Sequence, residues 1–386
     1  MEKIYLKRTS RVNAGHLWIF SNELESSPKN YEPGSIVEVY GRKEGFIGIG
    51  YVNPNSLISI RLLTKNKEEI DAGFFRNRIK SAIAYRERFF PESDSGRIVF
   101  SEGDFIPGLI VDRYASCLSV QILTAGIEKQ SESILQVLDE LFNPSAIVLR
   151  NDSQSRTLEG LPLNKSVVKG NIETLPVIHE GVAAFEVDPL NGQKTGFFLD
   201  QRENRLALKK LIKGGEGLDL CCYSGGWGVQ LALSGAEVNF VDDSDSSLSM
   251  AKRNVEINGL QDRCDFVQSD VFDFMKAESK KGSFYDFIVL DPPAFVKSRL
   301  KIKEALKGYR VLNHLAMSVL RPGGILATSS CSYHIEKQMF LDVLKDSAKE
   351  ANRTPRLIEM RSQSKDHPIL LSVPETEYLK CAFIAL

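Results

Sequence analysis

The chain reads as an α/β protein: a parallel sheet fills its C-terminal half, after a β-rich N-terminal segment and a middle α+β segment. Three observations carry that expectation. Beyond residue 185, apolar or β-branched runs at 217–222, 237–241, 264–268, 284–290 and 325–330 alternate with helical segments, the pattern of βαβ units. Between residues 35 and 64, short β-like runs (36–40, 46–51 and 57–63) are separated by turn residues such as Gly41 and Asn53-Pro54-Asn55. At 386 residues, the length suits two to three domains.

Taken in order, Asp71 opens an amphipathic helix through Phe89, with Phe75, Ile79, Ile83 and Ala84 on one face and Arg76, Lys80, Arg86 and Arg88 elsewhere. Strands at 97–101, 108–112, 117–123 and 146–150, with a helix over 131–142, form the middle unit. A strand-like run at 182–187 and a polar turn at 191–196 lead into the C-terminal half. These patterns divide the chain into residues 1–70, 71–185 and 186–386.

The 15 Lys and Arg against 10 Asp and Glu in residues 1–90 make the N-terminal end basic within a chain of net charge −1, so that end faces any polyanion. No run of about 18 apolar residues would span a bilayer, and charges occupy the place of a secretory apolar core, so the cytoplasm is expected. The six cysteines show no C-x-x-C pair, and the five histidines are scattered, so neither a disulfide framework nor a metal site is expected.

In a parallel sheet the ligand lies at the carboxyl ends of the strands. The first such end carries Cys222-Tyr223-Ser224-Gly225-Gly226, whose small residues let a ligand approach the backbone. The second ends in Asp242-Asp243, placing a carboxylate where a ribose diol would lie; Asp270 and Asp291 follow the third and fourth. A nicotinamide site also wants a glycine turn and an acid, but G-x-G-x-x-G is absent. So acidic a site repels a pyrophosphate and suits the sulfonium and ammonium of S-adenosylmethionine; turn glycines with solvated acids are the plain alternative. Asp291-Pro292-Pro293-Ala294-Phe295 fixes outward carbonyls that grip a planar amino-bearing base, with Phe295 to stack on it. Cys331 leaves the fifth strand just before a helix expected near His334, where a helix N-terminus lowers a thiol pKa; simple packing is the alternative. The basic stretch with Lys297, Arg299, Lys301, Lys303, Lys307 and Arg310 is either an RNA-facing patch or a solvated helix face.

These motifs together resemble the bacterial 23S ribosomal RNA large-subunit (cytosine-C5) methyltransferases of the RlmI type, over nearly the whole chain. His16-Leu17-Trp18-Ile19-Phe20-Ser21 and Gly48-Ile49-Gly50-Tyr51 are similar to that family's PUA domain, an RNA-binding β-barrel. The run from Glu102 to Arg113 is similar to its linking domain, and Lys194-Thr195-Gly196 through Asp200-Gln201-Arg202 to the entry of its Rossmann-like catalytic domain. The resemblance implies S-adenosylmethionine as cofactor, held by Gln201, Tyr223, Ser224, Gly225, Gly226, Asp242, Asp270 and Asp291. It implies Cys331 as nucleophile, Asp291 as its catalytic partner, and Lys194, Arg202, Phe295, Lys297 and Arg299 on ribosomal RNA. Tyr223 stands where many methyltransferases have a glycine, and Ala294 where other cytosine-C5 enzymes have a second cysteine, so the agent that removes the C5 proton is unassigned. An exocyclic-amine methyltransferase and a noncatalytic RNA-binding assembly protein are the competing readings. Neither naked RNA nor an assembling particle is selected as partner, and the oligomeric state is open, a homodimer included.

Overall fold

The computed structural model describes residues 1–295 and 301–386. The chain forms two compact units: Met1–Ile178, Val187–Leu199 and Lys365–Thr376 make the first, and His179–Glu186, Asp200–Ser364 and Glu377–Leu386 the second.

The first unit holds two five-stranded sheets. One runs in the order Glu2–Leu6, Ser35–Gly41, Gly45–Val52, Ile58–Thr64, Trp18–Phe20, around a core that includes Ile4, Leu17, Val37, Val39, Ile60 and Leu62. The other runs Asn164–Lys169, Ala146–Asn151, Cys117–Ile122, Leu109–Tyr114, Ser95–Phe100, and the helices Ala72–Glu87 and Ser131–Phe142 pack against it through Phe75, Ile79, Ile134 and Val137. Buried groups bind these layers together. The Tyr51 hydroxyl donates to the Pro107 carbonyl at 2.7 Å, and Gly126 must lack a side chain because a Cβ there would come within 2.0 Å of the Tyr51 ring. Arg86, which lies off the apolar stripe of its helix, is buried: its guanidinium donates to both Asp104 oxygens at 2.6 Å and to the Arg97 carbonyl. A guanidinium tolerates burial when its planar donors are met by a carboxylate and carbonyls.

The second unit is built on a seven-stranded sheet in the order Cys264–Gln268, Glu237–Asp242, Glu216–Leu220, Tyr285–Leu290, Leu320–Ser330, Lys380–Ala385, Arg356–Arg361. The first five are parallel; Lys380–Ala385 runs antiparallel to both its neighbours. Strand order reverses between Glu216–Leu220 and Tyr285–Leu290, so the crevice at a topological switch point lies above their carboxyl ends. The five parallel strands match the expected runs. The strands Glu2–Leu6, Trp18–Phe20, Asn164–Lys169, Val177–Glu180, Arg356–Arg361 and Lys380–Ala385 were not expected. The helix expected near His334 starts only at Lys337. Among the described residues no helix is long and apolar enough to cross a membrane.

Candidate active site

Leu220 ends the first parallel strand, and the chain then turns sharply. Cys221 (φ 59°), Tyr223 (φ 48°) and Gly225 (φ 79°) are all left-handed. Glycine adopts that conformation freely, whereas a side chain there costs of order 1–3 kcal/mol. This explains why a glycine suits the Tyr223 position. Tyr223 is held there by its N–H, which donates to Asp242 Oδ2 at 2.9 Å. Gly228, in the helix Gly226–Ala232, lies so close to the strand Glu237–Asp242 that a Cβ would come within 2.2 Å of the Phe240 ring.

The carboxylates fall into distinct settings. Asp242 is half-buried and also accepts from the Ser244 N–H at 3.0 Å. Burial raises its carboxyl pKa, while those two N–H groups oppose the shift. Asp270 is exposed and caps the helix Val271–Lys281, accepting from the N–H groups of Phe272 (2.8 Å) and Asp273 (3.1 Å). Asp219, which the strand-end reading passed over, lies buried beneath the turn and accepts from the Gly228 N–H at 2.8 Å. Burial first, then the charges of Asp291 and Asp242, push its carboxyl up to about 8.

Asp291, at the end of Tyr285–Leu290, is held by side chains. The Gln201 amide donates to its oxygens at 3.0 and 3.1 Å, and the Trp227 indole donates at 3.1 Å. Gln201 is 2% exposed, and it also donates to Ser329 Oγ at 3.2 Å and accepts from Asn204 at 2.7 Å. The amide thereby orients Asp291. Arg202, expected on RNA, is 4% exposed and lies 4.0 Å from Glu180 inside the unit. Phe295, expected to offer a face to a base, has its ring centroid 4.6 Å from that of Tyr309 and 6.2 Å from that of Phe272, among core side chains.

Cys331 follows Ser330 at the carboxyl end of Leu320–Ser330 and is half-buried. Because Leu290 pairs with Thr328, Asp291 is level with Ser329, and Cys331 stands two residues further along the adjacent strand. It does not stand at a helix N-terminus, since Ser332 to Glu336 intervene before the helix begins at Lys337. Tyr309 reaches the same turn, its hydroxyl 3.2 Å from Ser332 Oγ. Lys380, absent from the sequence reading, donates to the Ser332 carbonyl at 2.7 Å. Burial raises the thiol pKa of each of the other five cysteines, to about 11 for Cys117 and about 12 for Cys264 and Cys381.

The remaining basic residues fall in both units. Lys194 is exposed in the first unit with its ammonium 4.3 Å from the Phe198 ring centroid. Lys301, Lys303 and Lys307 are exposed, whereas Arg310 pairs with Glu350 at 3.5 Å. Lys297 and Arg299 lie outside the described residues.

Comparison with known proteins adds two family matches: a PUA-like domain over residues 4–65 and an S-adenosylmethionine-dependent methyltransferase domain over residues 149–369. The chain is 40% identical to ribosomal RNA large subunit methyltransferase I of Aeromonas hydrophila, across 95% of this chain and 94% of that one. It is 37% identical to the protein of that name in Shewanella amazonensis, across 97% and 96%. A solved Streptococcus mutans structure, provisionally described as a SAM-dependent methyltransferase, superposes with a TM-score of 0.85 at 20% identity over the whole of both chains. A methyltransferase structure complexed with SAH gives 0.86 at 19%, again over both whole chains. At those identities the structural likeness is one of fold.

Proposed function

The chain belongs to the family of S-adenosylmethionine-dependent methyltransferases, and we propose that it methylates C5 of a cytosine in large-subunit (23S) ribosomal RNA through a covalent bond from Cys331 to C6. The observation that carries this reading is that Asp291 and Cys331 follow the ends of adjacent parallel strands, in a chain whose other thiols are all suppressed by burial. The names of its relatives support the RNA class.

The donor set fits the cofactor. Asp242 and Asp291 bring carboxylate oxygens to the crevice, and Asp219 beneath them adds a group that burial keeps largely protonated near neutral pH. Asp242 suits the ribose hydroxyls, Asp270 the adenine amino group, and Gly225-Gly226 the methionine portion. Bound there, S-adenosylmethionine supplies an electrophilic methyl group.

Cytosine C5 is a weak nucleophile, and the chain's own residues change that. The Cys331 thiolate adds to C6, so an S–C6 bond forms and electron density moves onto C5. Asp291, oriented by Gln201 and Trp227, accepts a hydrogen bond from the base and holds it against that attack. After methylation the C5 proton leaves, the S–C6 bond breaks and the thiolate is released. The N-terminal 70 residues, with Lys194, Lys301, Lys303 and Lys307, hold RNA phosphates.

Mapping methylated cytidines in ribosomal RNA from a strain lacking the protein, with and without its restoration, tests the reading. Restored methylation at a cytosine C5 supports it; methylation of an exocyclic amine moves the chemistry to the Asp291-Pro292-Pro293-Ala294-Phe295 turn, and no change leaves a noncatalytic protein.

A further inference from the structure

Lys380 opens the strand Lys380–Ala385. Because that strand runs antiparallel to Leu320–Ser330, its first residue meets the other's last, and Lys380 pairs with Ser330. A residue near the end of the chain is thereby brought to the carboxyl edge of the parallel sheet, beside Cys331. Lys380 is 7% exposed, and its Nζ donates to the carbonyls of Ser332 at 2.7 Å and Tyr378 at 2.8 Å. Those bonds use two of the three ammonium donors. Among the described residues no carboxylate forms an ion pair with it. A buried ammonium anchored only by carbonyls is costly unless an anion completes its surroundings. The anion the fold can offer is the sulfur of Cys331, whose negative charge favours the protonated amine.

We propose that Lys380 activates Cys331: its neutral amine takes the proton from Sγ, and the resulting ammonium holds the thiolate as an ion pair until the sulfur adds to C6. The step balances, one proton passing from sulfur to nitrogen with no change of oxidation state. It rests on the reading of Cys331 as the nucleophile. Burial lowers the Lys380 amine to about 8, so a useful fraction is neutral near physiological pH, where an ordinary lysine at about 10.4 would not be. The other groups facing this corner do not replace it. The Tyr309 hydroxyl is pushed up to about 12 by burial and stays protonated. Asp291 on the adjacent strand and Glu377 before Lys380 carry negative charge, which opposes a thiolate. Tyr333 and His334 follow Cys331 in the turn that leads to the helix at Lys337.

The test is the pH profile of Cys331 alkylation by iodoacetamide in the full chain, read by peptide mass spectrometry, in the parent and in Lys380→Met and Lys380→Gln. Gln keeps an N–H donor for the two carbonyls and carries no charge. The variant scored is one whose S-adenosylmethionine affinity by calorimetry equals the parent's, which shows that the fold is kept. Alkylation at pH 7 should slow by about tenfold or more and the midpoint should rise by about one pH unit or more, the change expected when a thiolate loses a cationic partner. A profile that superimposes on the parent's would overturn the proposal. The nucleophile reading fails separately, by methylation of cytosine C5 in Cys331→Ala, and that result leaves the alkylation profile interpretable.

Discussion

On one side of the sheet's switch point, the strands Glu216–Leu220, Glu237–Asp242 and Cys264–Gln268 end in carboxylates tied by backbone N–H groups. Asp242 is held by Tyr223 and Ser244, Asp270 by the helix it caps, and Asp219 by Gly228. On the other side, Asp291 is held by the side chains of Gln201 and Trp227, and the Cys331 turn is fastened to Tyr309 and Lys380. Backbone donors stay where the main chain puts them whatever the sequence. Side-chain donors drawn from distant segments can be removed singly, so the second side should respond far more sharply to substitution in its chemistry, and the first in its affinity for the cofactor.

Four changes sharpen or break that contrast. Cys331→Ala should have the largest effect, lowering methyl transfer on the order of 10⁴-fold or more while leaving cofactor affinity by calorimetry nearly unchanged. Next, Gln201→Ala frees Asp291 from its amide clamp. Turnover at saturating cofactor should fall about 100-fold, the scale of a misplaced catalytic group, with a smaller change in cofactor affinity. Asp242→Ala should do the reverse: the cofactor should bind about 10- to 100-fold more weakly, from about 1.5–3 kcal/mol per lost charge-assisted hydrogen bond, with turnover at saturation affected less. Equal losses of turnover in Gln201→Ala and Asp242→Ala would erase the distinction between the two sides.

The smallest effect concerns stability and pH. Folded Asp219 titrates at about 8, against about 3.9 for an unfolded aspartate. Between those values the folded protein keeps a proton that the unfolded chain has released. Stability is therefore highest below the window and declines as pH rises through it. Asp219→Asn, which keeps an acceptor for Gly228, should flatten that decline in melting temperatures recorded from about pH 5 to 8. A slope identical to the parent's would show that Asp219 is charged in the fold.

The same contrast explains what could be read in the sequence. The central parallel strands are legible because strands buried on both faces are continuous apolar runs, as in Phe287-Ile288-Val289-Leu290. The strand Asn164–Lys169 alternates no buried face with an exposed one, and Arg356–Arg361 begins with three exposed residues, so neither leaves a pattern. The places of Asp242 and Gly225 at the strand ends are legible because their partners lie nearby in a strand and turn whose order fixes them. The burial of Arg202, Arg86 and Gln201 is not legible for one reason: only the fold shows the carboxylate or carbonyl that lets a polar side chain be buried. Lys380 looks like the polar flank of the apolar run Cys381-Ala382-Phe383-Ile384 until antiparallel pairing sets it against Ser330. The helix after Cys331 begins at Lys337 and not near His334, and the Ser332 hydroxyl in the intervening turn faces Tyr309.

Attack by Cys331 on the base is most directly tested with ribosomal RNA carrying 5-fluorocytidine, where fluorine replaces the C5 proton whose loss would release the enzyme. Incubated with S-adenosylmethionine, the parent protein should form a covalent complex with this RNA that survives denaturation. Nuclease and protease digestion should leave a methylated fluorocytidine on the peptide containing Cys331. Cys331→Ala should form none. Methylation of the RNA by the parent without any such adduct, or an adduct on another residue, would contradict the mechanism.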